Sequence, residues 1–424
     1  MNNNCYKNEE VRISPTFVVE EASRCLLCHD APCSKACPAG TNPAKFIRSL
    51  RFRNINGAIE TIRENNILGG ICSRICPTAK YCEGACSRTS LDTPIEIGKL
   101  QQYLTDYEND LNIKILEKAI INKDKVAVIG SGPSGLSVAS ELAKIGYSIT
   151  VFEAREKLGG WLSYGIPEHR LPQSVVDNEI DYIKDLGVEF KCNCKIGEDL
   201  KIEDLRKEGF KAFLIATGTQ KSKEVDSKTL NGIYRGVEFL ARVKGKKEKV
   251  ILGDNVIVIG GGDVAIDCAT TAKILGAKDV KIIYRRGLEK MPAERKSLEE
   301  LQDLNIPVFT GFKPSEIIGK NGKVFKFRAV GMFDDSIIEL PASNVIFAIG
   351  QEPKELKNIG EFKLTDKGLI VTENYKTNLE GIFASGDVIE GDNTVVLAVQ
   401  EGKEAAKAID FYLSELNSKK DGER

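Results

Sequence analysis

Two short glycine runs, each set between an apolar strand and a helix, constrain this 424-residue chain more than any other feature of its sequence. The first, Gly130-Ser131-Gly132-Pro133-Ser134-Gly135, follows Val126-Ala127-Val128-Ile129. The second, Gly260-Gly261-Gly262-Asp263-Val264-Ala265, follows Val256-Ile257-Val258-Ile259. A GxGxxG or GxGxxA loop in that setting makes the tight turn that brings backbone N–H groups at a helix N-terminus against a dinucleotide pyrophosphate. Gly130, Gly132, Pro133, Ser134 and Gly135 are therefore nucleotide-binding candidates, as are Gly260, Gly262, Asp263, Val264 and Ala265. Strands alternate with helices from Lys125 onward, so the expected class is α/β with two dinucleotide-binding (Rossmann-like) domains on parallel sheets.

The two loops differ in the strand end that lies downstream of each. Glu153 closes the next strand 23 residues after Gly130, where an acid accepts from a ribose hydroxyl. At the matching place the second fold ends Ile283-Tyr284-Arg285-Arg286. Two guanidinium groups there suit a 2'-phosphate, so residue chemistry alone favours NADPH. Arginines that are merely solvated, or stacked on adenine, would permit either nucleotide. The run Gly381-Ile382-Phe383-Ala384-Ser385-Gly386-Asp387 matches the second FAD signature of two-dinucleotide flavoproteins, in which the aspartate holds the ribityl chain. This makes the first site FAD, with the NAD(P) domain inserted in the FAD domain. Gly386, Asp387, Asn393 and Thr394 join the flavin candidates, with Gly159, Gly160 and Arg170 as lesser ones. Ala216-Thr217-Gly218 and Ala348-Ile349-Gly350 close further apolar strands and add Gly218, Ala348 and Gly350.

Of twelve cysteines, eight fall between Cys25 and Cys86, at Cys25, Cys28, Cys33, Cys37, Cys72, Cys76, Cys82 and Cys86. Both Cys37 and Cys76 precede proline. Thiolates at such intervals converge on one centre as the backbone wraps it, and Cys-Pro after a run of ligands recurs in ferredoxin-like sequences. Structural zinc also uses four thiolates and CxxC pairs. A flavin next door tips the reading to iron-sulfur, since zinc carries no electrons. Cys5, Cys192, Cys194 and Cys268 read as ordinary thiols. With His29 and His169 the only histidines, neither a His-rich metal centre nor a nucleophile-histidine relay is expected. No CxxC lies in the second nucleotide domain, which argues against a dithiol relay.

Formal net charge is -1, with basic residues scattered, so no footprint for nucleic acid or an anionic membrane stands out. No stretch approaches the roughly 18 apolar residues of a membrane span, and Met1 to Arg12 does not read as a signal peptide; a cytoplasmic protein is expected. Asn42-Pro43 should open a helix with Phe46, Ile47 and Leu50 on one face, and a second should bury Ala58, Ile59 and Ile62. The resulting division is a helical 4Fe-4S domain at 1–120, the FAD domain at 121–230 and 351–424, and the NAD(P)H domain at 231–350. The charged tail from Asn417 is expected to fray.

At residues 20–412 the chain resembles the small electron-input subunit of bacterial dihydropyrimidine dehydrogenase, within the glutamate synthase small-subunit superfamily. The resemblance is carried by Arg24-Cys25-Leu26-Leu27-Cys28-His29-Asp30-Ala31-Pro32-Cys33, Arg63-Glu64-Asn65-Asn66, Ile97-Gly98-Lys99-Leu100-Gln101 and both nucleotide loops. It implies two 4Fe-4S clusters, one on Cys25, Cys28, Cys33 and Cys86, the other on Cys37, Cys76, Cys82 and Gln101, with Cys72 left over, whereas counting cysteines alone would use all eight and put Cys72 in the place of Gln101. It further implies NADH as the bacterial donor, where the arginines favour NADPH. A larger partner subunit with FMN and its own clusters would reduce uracil or thymine to the 5,6-dihydro form in a hetero-oligomer. Related alternatives are the glutamate synthase small subunit and a ferredoxin-linked transhydrogenase subunit. From another class comes a zinc-stabilised docking module attached to a free-standing flavin reductase. The chemistry belongs to the cofactors, so no general acid or base is expected among the side chains.

Overall fold

The structure is a computed structural model and describes residues 12–219, 221–222, 230–245, 250–353 and 356–422. Its helical N-terminal part follows the local signals closely. Asn42, at φ 60°, caps Pro43–Arg51 by accepting from Lys45 N, and the helix buries Phe46, Ile47 and Leu50. Asn54 caps Ile55–Asn65 from Gly57 N, and Ala58, Ile59 and Ile62 go inside. These two helices share one core with Pro15–Arg24 and Ile97–Asp110, built on Val18, Phe46, Ile59, Ile62, Leu100 and Leu104. Gly69 and Gly70 let the helix Gly69–Ile75 approach its neighbours. A Cβ on Gly69 would lie 2.5 Å from Ile62 Cγ2, and one on Gly70 would lie 2.7 Å from Glu179 Oε1.

Beyond residue 124 the expected α/β alternation is present twice. The first five-stranded sheet runs Ile382–Ala384, Phe210–Ile215, Lys125–Ile129, Ser148–Phe152, Glu189–Lys191, all parallel. The second runs Ile233–Arg235, Asn344–Phe347, Asn255–Ile259, Asp279–Tyr284, Val308–Thr310, again parallel. In both, the strand that feeds a glycine loop is central, and its two neighbours lead the chain off in opposite directions. A dinucleotide binds at that switch point, beyond the carboxyl ends of the strands. An antiparallel sheet of Phe312–Lys320, Lys323–Gly331 and Ile337–Pro341 is added to the second fold.

The chain forms two compact units. One contains the described residues of Tyr164–Glu168 and Gln220–Lys354; the other contains those of Asn8–Ser163, His169–Thr219 and Glu355–Arg424. Lys221–Ser222 and Gln351–Glu352, at the entry and exit of the first of these, pair antiparallel. The C-terminal tail departs from expectation: the helix Val395–Gly422 continues past Asn417 as far as the described residues go. Its Glu, Lys and Leu are good helix formers, and Asn417 Nδ2 donates to Asp124 Oδ2 at 2.8 Å. Among the described residues no helix is long and apolar enough to cross a membrane.

Candidate functional site

Gly130 sits at φ 109°, and a Cβ there would meet Ala216 O at 2.3 Å, so only glycine fits. Nothing lies within 4 Å of a Cβ on Gly132, the N-cap of Pro133–Lys144, which leaves the helix N-terminus open for a pyrophosphate. Glu153 is buried; its carboxylate accepts from Ser131 N at 3.1 Å, Ser131 Oγ at 2.5 Å and Arg155 N at 2.9 Å. Ser131 Oγ accepts in turn from Gly159 N at 3.0 Å. A Cβ on Gly160 would stand 3.0 Å from Gly132 Cα. The structure thus gathers Gly130, Gly132, Glu153, Gly159 and Gly160, with Ser131, which sequence reasoning passed over, as the hub. Gly218, at φ 63°, has open space around it.

The C-terminal signature is folded onto this loop. Ser385 Oγ and Ser134 Oγ are 2.5 Å apart across 251 residues, and a Cβ on Gly386 would be 2.9 Å from Ser134 Cβ. Gly386 N donates to Glu401 Oε2 at 2.8 Å. Burial pushes the Asp387 carboxyl above the ordinary range, and among the described residues that carboxylate accepts no hydrogen bond. Thr394 Oγ1 is likewise buried without a hydrogen-bond partner. Two orphaned polar groups beside an open helix N-terminus fit a flavin nucleotide, whose ribityl hydroxyls and pyrophosphate supply what both lack. Arg170 is half-buried and Asn393 exposed.

The second loop repeats the first. Gly260, at φ 144°, would push a Cβ to 2.2 Å from Ala348 O, just as Gly130 leans on Ala216. Ala348 N donates to Ile259 O at 2.8 Å and Ala216 N to Ile129 O at 2.8 Å. Gly262 caps Asp263–Ile274, Ala265 is fully buried in its first turn, Val264 is half-buried, and Asp263 Oδ1 accepts from Glu294 N at 3.3 Å. Gly350 takes φ 116°. Arg285 and Arg286 are exposed just past Asp279–Tyr284, at the place of a ribose-binding acid.

Among the cysteines, Cys25, Cys28, Cys33 and Cys86 line one cavity whose wall includes Leu26, Pro32, Ala44, Ile47 and Ile97. Burial pushes the Cys33 thiol up to about 11 and raises that of Cys25. Metal binding is what draws such thiols into the thiolate form. Among the described residues no three His, Cys, Asp or Glu stand close enough to hold a single ion. Four thiols around one cavity are the donor set of a thiolate-bound iron-sulfur cluster.

Burial likewise raises Cys82, which lies within electrostatic reach of Cys37. Cys76 caps the end of Gly69–Ile75, and the Cys37 thiol donates to Thr41 Oγ1 at 3.5 Å. Cys72 is buried beside Asn66 and within reach of Cys37, its thiol pushed up to about 12. Gln101 is buried, with Nε2 donating to Gly69 O at 2.7 Å. The adjoining row of that helix carries Gly98, Gln102 and Asp106. A Cβ on Gly98 would stand 3.2 Å from Ser73 O, and Asp106 pairs with Arg74 at 2.7 Å, so Gln102 lies on the row facing the stretch that ends in Cys76. Cys268 is buried, Cys192 and Cys194 half-buried, and Cys5 lies outside the described residues.

Fold and site together define a two-dinucleotide flavoprotein oxidoreductase with an iron-sulfur domain at its N-terminal end. Residues 124–402 match the family model described as pyridine nucleotide-disulphide oxidoreductase, and residues 2–113 match dihydropyrimidine dehydrogenase domain II, 4Fe-4S cluster. The NAD-dependent dihydropyrimidine dehydrogenase subunit PreT homolog of Salmonella typhi is 43% identical over 95% of this chain and 96% of its own. The NADP(+)-dependent formate dehydrogenase subunit beta of Moorella thermoacetica is 32% identical over 90% of this chain and 60% of its own. Among solved structures, Mycobacterium tuberculosis FprA in complex with NADPH superposes with TM-score 0.60 at 18% identity, over 70% of this chain and 86% of that one. The chain belongs to the family of the PreT dihydropyrimidine dehydrogenase subunits. It is an NAD(P)H oxidoreductase that works with FAD and 4Fe-4S chemistry.

Proposed function

We propose that this chain is the electron-input subunit of a dihydropyrimidine dehydrogenase. It oxidises NAD(P)H and delivers the electrons to a larger partner subunit that carries FMN, further clusters and the pyrimidine site, where uracil or thymine becomes the 5,6-dihydro form. The observation that carries this reading is the cavity lined by Cys25, Cys28, Cys33 and Cys86, which belongs to the same compact unit as the first glycine loop. A one-electron carrier and a two-electron carrier are thereby built into one folded body.

Two 4Fe-4S clusters are proposed. Cys25, Cys28, Cys33 and Cys86 hold one; Cys37, Cys76, Cys82 and Gln101 hold the other, and Cys72 stays a buried thiol. Gln102 is the competing donor, because its row of the helix faces the Cys76 stretch. Bound FAD supplies the conversion of a hydride into single electrons. The chain's own residues do the positioning. Glu153, fixed by Ser131 and Arg155, presents its carboxylate to the adenosine ribose. Gly132 and the N-terminus of Pro133–Lys144 receive the pyrophosphate, and Asp387 and Thr394 take the ribityl and flavin polar atoms. Gly260, Gly262 and Asp263–Ile274 do the same for the nicotinamide nucleotide. A reducing cytoplasm suits seven thiols kept for iron and an eighth, Cys72, kept free.

The test is anaerobic pull-down of the native complex, followed by NADH- or NADPH-driven uracil reduction on the eluate. Uracil-dependent nucleotide oxidation supports the reading. An amidotransferase-type partner, with oxidation dependent on glutamine and 2-oxoglutarate, would overturn the pyrimidine assignment in favour of the glutamate synthase small subunit.

A further inference from the structure

Lys403 is a cation that no step above uses. It lies on the helix Val395–Gly422, half-buried, and its Nζ donates to Ala39 O at 2.8 Å and to Asn65 O at 2.6 Å. No carboxylate among the described residues comes within ion-pair distance of it. A half-buried ammonium held by two carbonyls is favoured by an anion nearby; the negative groups that act on this one are Glu141, itself paired with Lys144 at 2.5 Å, and, more weakly, the Cys37 thiol. The loop it grips begins at Cys37, and the adjacent Asn66 shares Thr41 with the Cys37 thiol: Asn66 Nδ2 donates to Thr41 Oγ1 at 3.3 Å. A cluster ligated by Cys37 would place a net negative charge beside that loop.

The other end of the same helix belongs to the flavin site. Thr394 directly precedes its first residue, and Lys403 follows Val395 by eight residues, about 12 Å along the axis. The residue before Lys403, Gly402, touches the first nucleotide helix: a Cβ there would be 2.7 Å from Ser134 O. Ser137 Oγ donates to Val399 O at 2.9 Å, which pins the turn between. One rigid helix therefore carries the flavin-side residues at its start and a positive charge at the cluster loop eight residues on.

We propose that Lys403 is a positioning residue that sets the reduction potential of the cluster on Cys37, Cys76 and Cys82, holding it higher than the ligands alone would. This rests on the two-cluster reading above. Positive charge beside a cluster favours its reduced, more negative state, so removing that charge moves the midpoint down.

The experiment is a potentiometric titration of the full chain, reconstituted with FAD and iron-sulfur clusters, followed by electron paramagnetic resonance. Lys403→Met should shift one midpoint to more negative potential and leave the other in place. Lys403→Gln, which keeps a hydrogen-bond donor but no charge, should shift the same midpoint, and Lys403→Arg should restore it. The shifted signal should be the one lost in Cys82→Ser and kept in Cys28→Ser. Unchanged midpoints in the neutral variants, an equal shift of both clusters, or a shift in Lys403→Arg as large as in Lys403→Met would each overturn the proposal. Iron content short of two clusters in the unaltered protein would instead defeat the reading on which it rests, and the proposal with it.

Discussion

Arg63 and Glu179 stand 116 residues apart in sequence and meet fully buried, Arg63 Nη2 lying 2.9 Å from Glu179 Oε1. Arg63 comes from the helix Ile55–Asn65 of the N-terminal helical part and Glu179 from the helix Gln173–Asp185 that packs on the FAD fold. The guanidinium also holds Glu108 Oε2 at 2.7 Å, donates to Ile67 O at 2.7 Å and lies 4.7 Å from the Tyr182 ring centre. The pair is a joint between iron-sulfur and flavin parts of one unit.

Removing the guanidinium should be far worse than its modest net worth suggests, because two buried carboxylates lose their counter-charge. Arg63→Ala is expected to cost about 3–5 kcal/mol in denaturant unfolding. Lys in its place should recover only part, since an ammonium cannot span both carboxylates. Burial already raises the Glu108 carboxyl. An acid whose folded pKa is raised is penalised only while ionised, so the Arg63→Ala deficit should shrink as pH falls through that pKa. A deficit that grows on acidification would contradict this account.

The two glycine loops can be separated by a matched pair of substitutions. Gly130→Ala and Gly260→Ala each force a Cβ into a backbone oxygen at 2.3 and 2.2 Å and strain a positive φ, at about 1–3 kcal/mol for the strain alone. The first should lower the flavin absorbance per chain. The second should leave flavin bound and raise KM for the nicotinamide nucleotide. Loss of flavin from both would mean that the second loop does not serve a separate nucleotide.

Iron content distinguishes the cysteines. Cys28→Ser should lose about half of the iron, one cluster of two, whereas Cys72→Ser should keep all of it. Colorimetric iron analysis on anaerobic protein reads both. Gln101→Cys adds a thiolate and should lower one cluster's midpoint; a response confined to Gln102→Cys would move the ligand one residue along the helix.

Nucleotide choice turns on Arg285 and Arg286. If they hold a 2'-phosphate, replacing both with serine should raise KM for NADPH about tenfold, near 1.4 kcal/mol, and leave KM for NADH unchanged. Equal effects on the two nucleotides would assign the arginines to the adenine or the solvent.

Much of this was legible in the residues, for a physical reason. Gly130 and Gly260 occupy positions that no other side chain can take, so their spacing carries the fold with it, and the strand and helix around each follow from apolar period. Asn42-Pro43 similarly states its helix start outright. What stayed hidden was non-local. Arg63, Glu108 and Glu179 look like ordinary charges on amphipathic helices, and nothing in a window of sequence says that they share one buried site. Ser131 and Ser385 are small polar residues whose importance lies wholly in what folds against them. Lys403 reads as solvated until the carbonyls of Ala39 and Asn65 are found at its tip. The tail from Asn417 misled in the opposite sense, since charge density suggests fraying while its helix propensity and its bond to Asp124 favour order.

The late position of strand Ile382–Ala384, which pairs with Phe210–Ile215 in the first sheet, gives biosynthesis a fixed schedule. A ribosome finishes Cys86 almost 300 residues before it finishes Ala384, roughly 15–60 s at about 5–20 residues per second. For most of that interval the cysteines are outside the tunnel while the flavin fold cannot close. The thiols are therefore accessible before the flavin fold can close, and Lys403 is made after the loop it grips.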